Sequence, residues 1–221
     1  MGFGEALSQA FMQIFVALAI GALYFILKNL FGSKNAGDHS FLSFMGLRPA
    51  VRQLDRGFLA LWIAVSLFAV LSTFLEFKMS TNFKHLLTND QSPYGKILKS
   101  GANLRAIGLA LIYCFGTSAG AEEILFRGLI ARRIFNRFGF WTGNILQALI
   151  FWLMHFVIFR LIIGVWFSEI QIVAFITSLG LGLIFGYANL RNEGRSILPS
   201  WLLHASTNLM TFLTMFFLWT R

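Results

Sequence analysis

Four polar side chains lie within stretches of the sequence that are otherwise strongly apolar: Glu122, His155, His204 and Asn208, in three different stretches. At the centre of a membrane an ionisable group costs roughly 2.5 kcal/mol or more, so Glu122, His155 and His204 are candidate functional groups. Asn208 lies four residues after His204 and hence on the same helical face. A carboxylate in an apolar cavity could act as a general base. The N–H groups of His204 and Asn208 could stabilise a developing oxyanion. All four side chains are unfavourable facing lipid, which predicts one shared polar cavity.

Glu123 and Arg127 stand beside these residues and have a simpler interpretation. Residues four apart lie on one face of an α-helix, so Glu123 and Arg127 are predicted to pair and to neutralise each other. Glu122 lies about 140° around the same helix from Arg127, which leaves it available for chemistry. A lone buried His or Asn in a membrane helix is most often an interhelical hydrogen-bond anchor. One unpaired Glu, two His and an Asn on three helices favour a function for the set.

The elements that must position these side chains are membrane-spanning helices. Hydrophobic residues make up 57% of the 221 residues and charged residues only 12%, against about 25% charged in a typical soluble domain. Apolar runs of roughly 20 residues cross a hydrocarbon core about 30 Å thick. The runs are Leu7–Leu27, Phe58–Phe77, Leu104–Ala131, Ile145–Ile163, Ile170–Leu190 and Leu198–Leu218. Because a segment in lipid must satisfy its own backbone, we predict an all-α transmembrane bundle of about six helices.

The connections and the remaining composition complete the predicted organisation. Lys28–Arg56 and Thr81–Gly101 contain turn residues, which predicts interfacial loops with short amphipathic pieces. We divide the chain into N-terminal spans and loops at residues 1–100 and a catalytic core at residues 101–221. In the fifth predicted span, three glycines favour a close helix contact: Gly180, Gly182 and Gly186. The alternative is that they leave space for an entering substrate.

Charge and cysteine content exclude several classes of site. The net charge of +9 is typical of Lys and Arg in loops that flank a membrane, so we expect no nucleic-acid partner. Cys114 is the only cysteine, which excludes an internal disulfide and a multi-thiolate metal site. Its apolar surroundings predict a small buried residue rather than a nucleophile.

Three short motifs resemble those of the CAAX protease and bacteriocin-processing family, which includes the prenyl-protein endopeptidases. They are Glu122-Glu-x-x-x-Arg127, Phe151-x-x-x-His155 and His204-x-x-x-Asn208, in the family's order and on predicted spans. Three further segments also resemble the family: Phe126-Arg-Gly128, Gly182-Leu-Ile-Phe-Gly-Tyr187 and Met45-Gly-Leu-Arg48. The resemblance is strongest from about Gly101 to Met210.

The resemblance implies a role for each motif residue. Water would be activated by Glu122 and His155, the oxyanion stabilised by His204 and Asn208, and the motif helix held by Glu123 and Arg127. It also implies a glutamate-type peptidase without a metal or another cofactor. The alternative is a catalytic zinc held by Glu122, His155 and His204, since one Glu and two His could form a three-ligand set. The chain lacks the His-Glu-x-x-His pattern.

The expected substrate is a peptide or protein at or in the lipid bilayer, either a prenylated chain or a bacteriocin-type precursor. The expected location is the cell membrane of a prokaryote. Two other functions remain open. A catalytically silent scaffold or immunity protein would keep the polar cavity for stability or partner binding. A proton or solute conductor would use the same groups as a relay, but the chain shows no duplicated halves and one polar cluster.

Overall fold

The computed structural model describes residues 1–31, 40–49, 54–89, 92–164, 169–190 and 196–219. Nine helices and no strands occur within these ranges, which confirms the predicted all-α class. They are α1 (Phe3–Phe31), α2 (Phe41–Phe44), α3 (Arg56–Met79), α4 (Thr81–Thr88), α5 (Pro93–Leu98), α6 (Leu104–Phe138), α7 (Phe140–Ile163), α8 (Glu169–Leu190) and α9 (Leu198–Trp219).

Six of these helices, α1, α3, α6, α7, α8 and α9, are long and apolar enough to cross a membrane. The six predicted spans are therefore confirmed, and the protein is an integral membrane protein. The bounds differ most from the prediction between the third and fourth spans, where α6 continues to Phe138 and α7 already begins at Phe140. Gly139 separates these helices with a φ of 77°, a conformation that favours glycine because it has no Cβ.

The central helix of the bundle is α6, which packs against α1, α7 and α9 and carries the first motif. Two of its segments, Tyr113–Ser118 and Ile124–Ala131, are π-helical rather than α-helical. Such segments are rare and frequently occur at functional sites. The carbonyl oxygen of Phe115, inside the first of them, accepts a hydrogen bond from Trp201 Nε1 at 2.9 Å. This bond ties α6 to α9 one turn before His204.

A close contact between α7 and α8 orients the second motif helix. A Cβ at Gly182 would lie 3.1 Å from the Cβ of Ala148, and one at Gly186 would meet polar side chains of α7. Gln147 Nε2 donates to the Gly182 carbonyl at 2.7 Å. The predicted close contact is therefore confirmed at Gly182 and Gly186. It is wrong for Gly180, which has no neighbouring atom within 4 Å of its ideal Cβ.

The connection Thr81–Gly101 is more deeply packed than an interfacial loop. It folds into α4 and α5, in line with the predicted short helical pieces. Phe83, Ile97 and Leu98 are buried and join the core formed by the first half of α6 and the second half of α9. These helices thus close one end of the bundle beside the third motif.

Residues 40–49, with the Met45-Gly-Leu-Arg48 segment, dock between α6 and the start of α9. The Ile197 amide donates to the Gly46 carbonyl at 3.1 Å, and Arg132 Nη1 donates to the Ser43 carbonyl at 2.9 Å. A Cβ at Gly128 would lie 2.6 Å from the Met45 carbonyl oxygen. The other parts of the predicted loop, residues 32–39 and 50–53, lie outside the described residues. The division of the chain at residue 100 stays a prediction.

Candidate active site

The three motif helices bring the four candidate residues together. His204 Nε2 on α9 lies 3.8 Å from Glu122 Oε2 on α6. The rings of His155 on α7 and Phe151 are tilted against each other with centroids 4.5 Å apart, and the same Phe151 ring lies 5.7 Å from the His204 ring. His155 also interacts electrostatically with Glu122 and His204. The candidate side chains therefore cluster between α6, α7 and α9, whereas a shared polar cavity stays a prediction.

Glu123 and Arg127 form the predicted ion pair within α6. Arg127 Nη1 lies 3.0 Å from Glu123 Oε1, and both side chains have 0% exposure. The Arg127 guanidinium lies over the Phe151 ring at 4.3 Å and over the Phe185 ring at 5.3 Å, so aromatic faces complete its surroundings. A buried charge of this kind is tolerated only when it is paired.

Glu123 also contacts His204 directly, which the helical geometry of the sequence did not indicate. His204 Nδ1 lies 2.9 Å from Glu123 Oε1, on the opposite edge of the imidazole from Glu122. Glu122 and Glu123 are successive residues of α6 and point in different directions. Both still reach His204, because its ring has a nitrogen on each edge. Glu123 therefore orients a candidate catalytic residue in addition to pairing with Arg127.

Hydrogen bonds determine which ring nitrogen of each histidine carries the proton. His155 Nδ1 lies 2.9 Å from the Phe151 carbonyl oxygen, which can only accept, so Nδ1 carries the proton. In the neutral ring Nε2 then has the free lone pair. The carboxylate of Glu123 orients His204 in the same way, with Nδ1 donating and Nε2 facing Glu122.

The two carboxylate oxygens of Glu122 have different surroundings. The Ser118 hydroxyl donates to Oε1 at 3.2 Å. Oε2 is buried and has no hydrogen-bond partner among the described residues. The side chain as a whole keeps 23% exposure. One oxygen of Glu122 is thus anchored by Ser118, and the other is buried on the side of His204 without a hydrogen bond.

Asn208 reaches Glu122 through Ser118 rather than directly. Asn208 Nδ2 donates to Ser118 Oγ at 3.0 Å, and the same hydroxyl donates onward to Glu122. Ser118 is the residue that sequence reasoning missed. The signal was present, because Ser118 lies four residues before Glu122 and hence on the same helical face.

Zinc ligation by Glu122, His155 and His204 is the alternative to a metal-free site. Within the described ranges, no group of three His, Cys, Asp or Glu side chains is arranged to hold a metal ion.

The helices and this cluster together define a class: an integral membrane protein with a carboxylate, two imidazoles and an amide clustered between spans. Residues 102–210 match the family model described as type II CAAX prenyl endopeptidase Rce1-like. This segment is therefore similar to the Rce1-like family, and that family implies a protease. The match confirms the predicted extent of the resemblance, from about Gly101 to Met210. Searches of curated proteins and of solved structures gave no significant match.

Proposed function

We propose that this protein is an intramembrane endopeptidase that hydrolyses a peptide bond with a water activated by Glu122 and His155. One observation carries the proposal: Glu122 Oε1 is anchored by Ser118, while Oε2 lies buried on the side of His204 with no hydrogen-bond partner among the described residues. A general base needs a lone pair directed at the reacting water, and catalytic hydrogen bonds in apo sites are often long and tighten when the substrate binds. His155 Nε2 would accept the second hydrogen of the same water and orient it.

The reaction can be written with a complete proton balance. Water transfers one proton to Glu122 Oε2 as its oxygen attacks the scissile carbonyl carbon. The carbonyl electron pair moves to oxygen and forms a tetrahedral oxyanion. As the intermediate collapses, the carbon–nitrogen bond breaks and Glu122 returns the proton to the leaving nitrogen. The products are a carboxylic acid and an amine, and Glu122 is again a carboxylate.

His204 and Asn208 are proposed to stabilise the oxyanion. Asn208 Nδ2 has two hydrogens, and one of them is used by Ser118, which leaves the other for the oxyanion. Since His204 donates from Nδ1 to Glu123, its Nε2 can donate only when the ring is doubly protonated. The carboxylates of Glu122 and Glu123 lie on either side of that ring. Oxyanion donors typically make the largest single contribution to catalysis.

The proposed substrate is a protein or peptide segment at the membrane. The family match supports a prenylated chain as the first substrate to test, and a bacteriocin-type precursor is the second. We also propose that the protein acts in the cell membrane of a prokaryote. No metal enters the proposed mechanism, and zinc on Glu122, His155 and His204 is the alternative to be tested.

The test uses the full chain purified into proteoliposomes and an internally quenched peptide that ends in a farnesylated CAAX sequence. The wild-type protein should cleave the peptide, and mass spectrometry should identify the released fragment. Glu122→Gln should reduce kcat by about 10²–10⁴-fold, as expected for loss of a general base. Glu5→Gln, at an exposed acid in the first turn of α1, is the matched control and should leave kcat unchanged.

Each outcome separates the proposal from its alternatives. Cleavage by Glu122→Gln at the wild-type rate would refute the assigned base. A wild-type protein that binds the peptide without cleaving it would favour a silent scaffold. A pH-dependent ion flux across the vesicles that is lost in Glu122→Gln, without peptide cleavage, would favour a conductor.

A further inference from the structure

Ser118 occupies the junction between the proposed base and one proposed oxyanion donor. It is the last residue of the first π-helical segment of α6 and is half-buried. Its hydroxyl receives a hydrogen bond from Asn208 Nδ2 at 3.0 Å and lies 3.2 Å from Glu122 Oε1. A single side chain therefore connects α6 and α9 at the cluster.

The chemistry of the three groups fixes the direction of this hydrogen-bond chain. The amide nitrogen of Asn208 can only donate, so the Ser118 oxygen is the acceptor of that bond. The Ser118 proton must then point to Glu122, because an ionised carboxylate can only accept. The order is Asn208 N–H to Ser118 O–H to Glu122 Oε1, and no other assignment satisfies all three groups.

We infer that Ser118 is a positioning residue that selects the oxygen of Glu122 which takes the proton from water. With Oε1 occupied by the Ser118 hydroxyl, the proton goes to Oε2, the oxygen that is unpartnered and lies 3.8 Å from His204. When Glu122 is protonated at Oε2, Oε1 still accepts from Ser118. The hydrogen bonds from Asn208 through Ser118 to Glu122 are thus preserved throughout the proton-transfer cycle. This inference rests on the proposed function.

The same hydroxyl also sets the position of Asn208. One of the two amide hydrogens of Asn208 is held by Ser118, which orients the other toward the cluster. Ser118 therefore couples the placement of the base to the placement of the oxyanion donor. Because reacting groups misplaced by about 1 Å can cost 10²-fold in rate, one hydrogen bond at this point affects kcat.

The experiment compares Ser118→Ala with Ser118→Thr in the proteoliposome assay with the farnesylated quenched peptide. Ser118→Ala removes the hydroxyl and should lower kcat about tenfold with KM changed by less than about twofold. Ser118→Thr keeps the hydroxyl and should restore kcat to within about threefold of the wild type. The control is Ser72→Ala on α3, a half-buried helical serine that donates to the Ala69 carbonyl at 3.2 Å. It should leave kcat unchanged.

A double-mutant cycle with Asn208→Ala tests the bridge itself. If Ser118 and Asn208 act as one unit, the double variant should lose much less activity than the product of the two single losses. Difference infrared spectroscopy supplies a readout that does not need turnover. The carboxylate band that disappears in Glu122→Gln should shift in Ser118→Ala and remain in place in Ser118→Thr.

The outcomes distinguish this inference from the proposed function. If the wild type cleaves, Glu122→Gln does not, and Ser118→Ala cleaves at the wild-type rate, the Ser118 inference is overturned and the function stands. Fully multiplicative losses in the cycle, or an unshifted carboxylate band, would also overturn it. A wild type that does not cleave any of the peptides overturns the proposed function and this inference with it.

Discussion

Replacement of Arg127 by Met tests whether the Glu123–Arg127 pair supports the fold of the site. The substitution keeps a long, flexible side chain and removes the charge. Glu123, at 0% exposure, would then keep its contact with His204 Nδ1 but lose its cationic partner. The Phe151 and Phe185 rings would lose the guanidinium that lies over them at 4.3 and 5.3 Å.

The expected loss follows from the burial of both partners. Removing one partner of a buried ion pair costs about 3–5 kcal/mol, because the remaining buried charge loses its compensating opposite charge. For a protein of this size about 1 kcal/mol corresponds to roughly 2–4 °C in Tm, so Arg127→Met should unfold about 10 °C below the wild type. Glu123→Gln added to Arg127→Met removes the orphaned charge, and the Gln carbonyl can still accept from His204 Nδ1. The double variant should therefore recover most of the loss.

Cys114 can report the thermal unfolding of the protein in this measurement. Cys114 is the only cysteine, has 0% exposure and lies in the core shared by α6 and α9. A thiol-reactive fluorogenic dye should therefore report unfolding of the detergent-solubilised protein during a thermal ramp. Arg137→Met, at an exposed position on the same helix, is the control and should shift Tm by no more than about 2 °C.

Two results would refute the reasoning. Arg127→Met could unfold at the wild-type temperature, which would mean that the buried carboxylate does not need its cation. Alternatively, Glu123→Gln could lower the Tm of Arg127→Met further, which would mean that the charge of Glu123 is not the source of the loss.

Four further predictions concern packing and metal dependence. Gly128→Ala places a Cβ 2.6 Å from the Met45 carbonyl oxygen and should cost about 1–3 kcal/mol in the dye assay. Gly180→Ala, which meets no atom within 4 Å, should be neutral or stabilising by up to about 1 kcal/mol. Trp201→Phe removes the bond to the Phe115 carbonyl and should lower stability by about 1 kcal/mol. Dialysis against a chelator should leave peptide cleavage unchanged, whereas a loss that zinc restores would establish a metal enzyme.

The spans could be read from the sequence because the free energy of placing a segment in lipid depends on that segment alone. Each apolar run is long enough to cross the hydrocarbon core, and a lone run in lipid must be a helix. The bounds were less accurate, since the end of α6 depends on where Gly139 turns the chain. The packing of α4 and α5 into the core could not be predicted from the sequence either, because their buried apolar side chains are interspersed with polar residues.

Those contacts of the site that depend only on the geometry of a single helix could be predicted from the sequence. Glu123 and Arg127 are four residues apart on one helix, so their pairing needed no knowledge of the rest of the fold. Gly180 shows the limit of this reasoning, because three similar glycines on α8 have different neighbours. Contact with α7 depends on the rotation of α8, which the sequence of α8 alone does not specify.

What the sequence by itself determined is the membrane embedding, the number of spans and the identity of the motif residues. Hydropathy and residue spacing are properties of single segments and can be read one segment at a time. Only the tertiary structure decided that His204 lies between two acids and that Ser118 joins Glu122 to Asn208. These contacts join α6 to α9, and their distances depend on how two helices distant in sequence rotate and pack against each other.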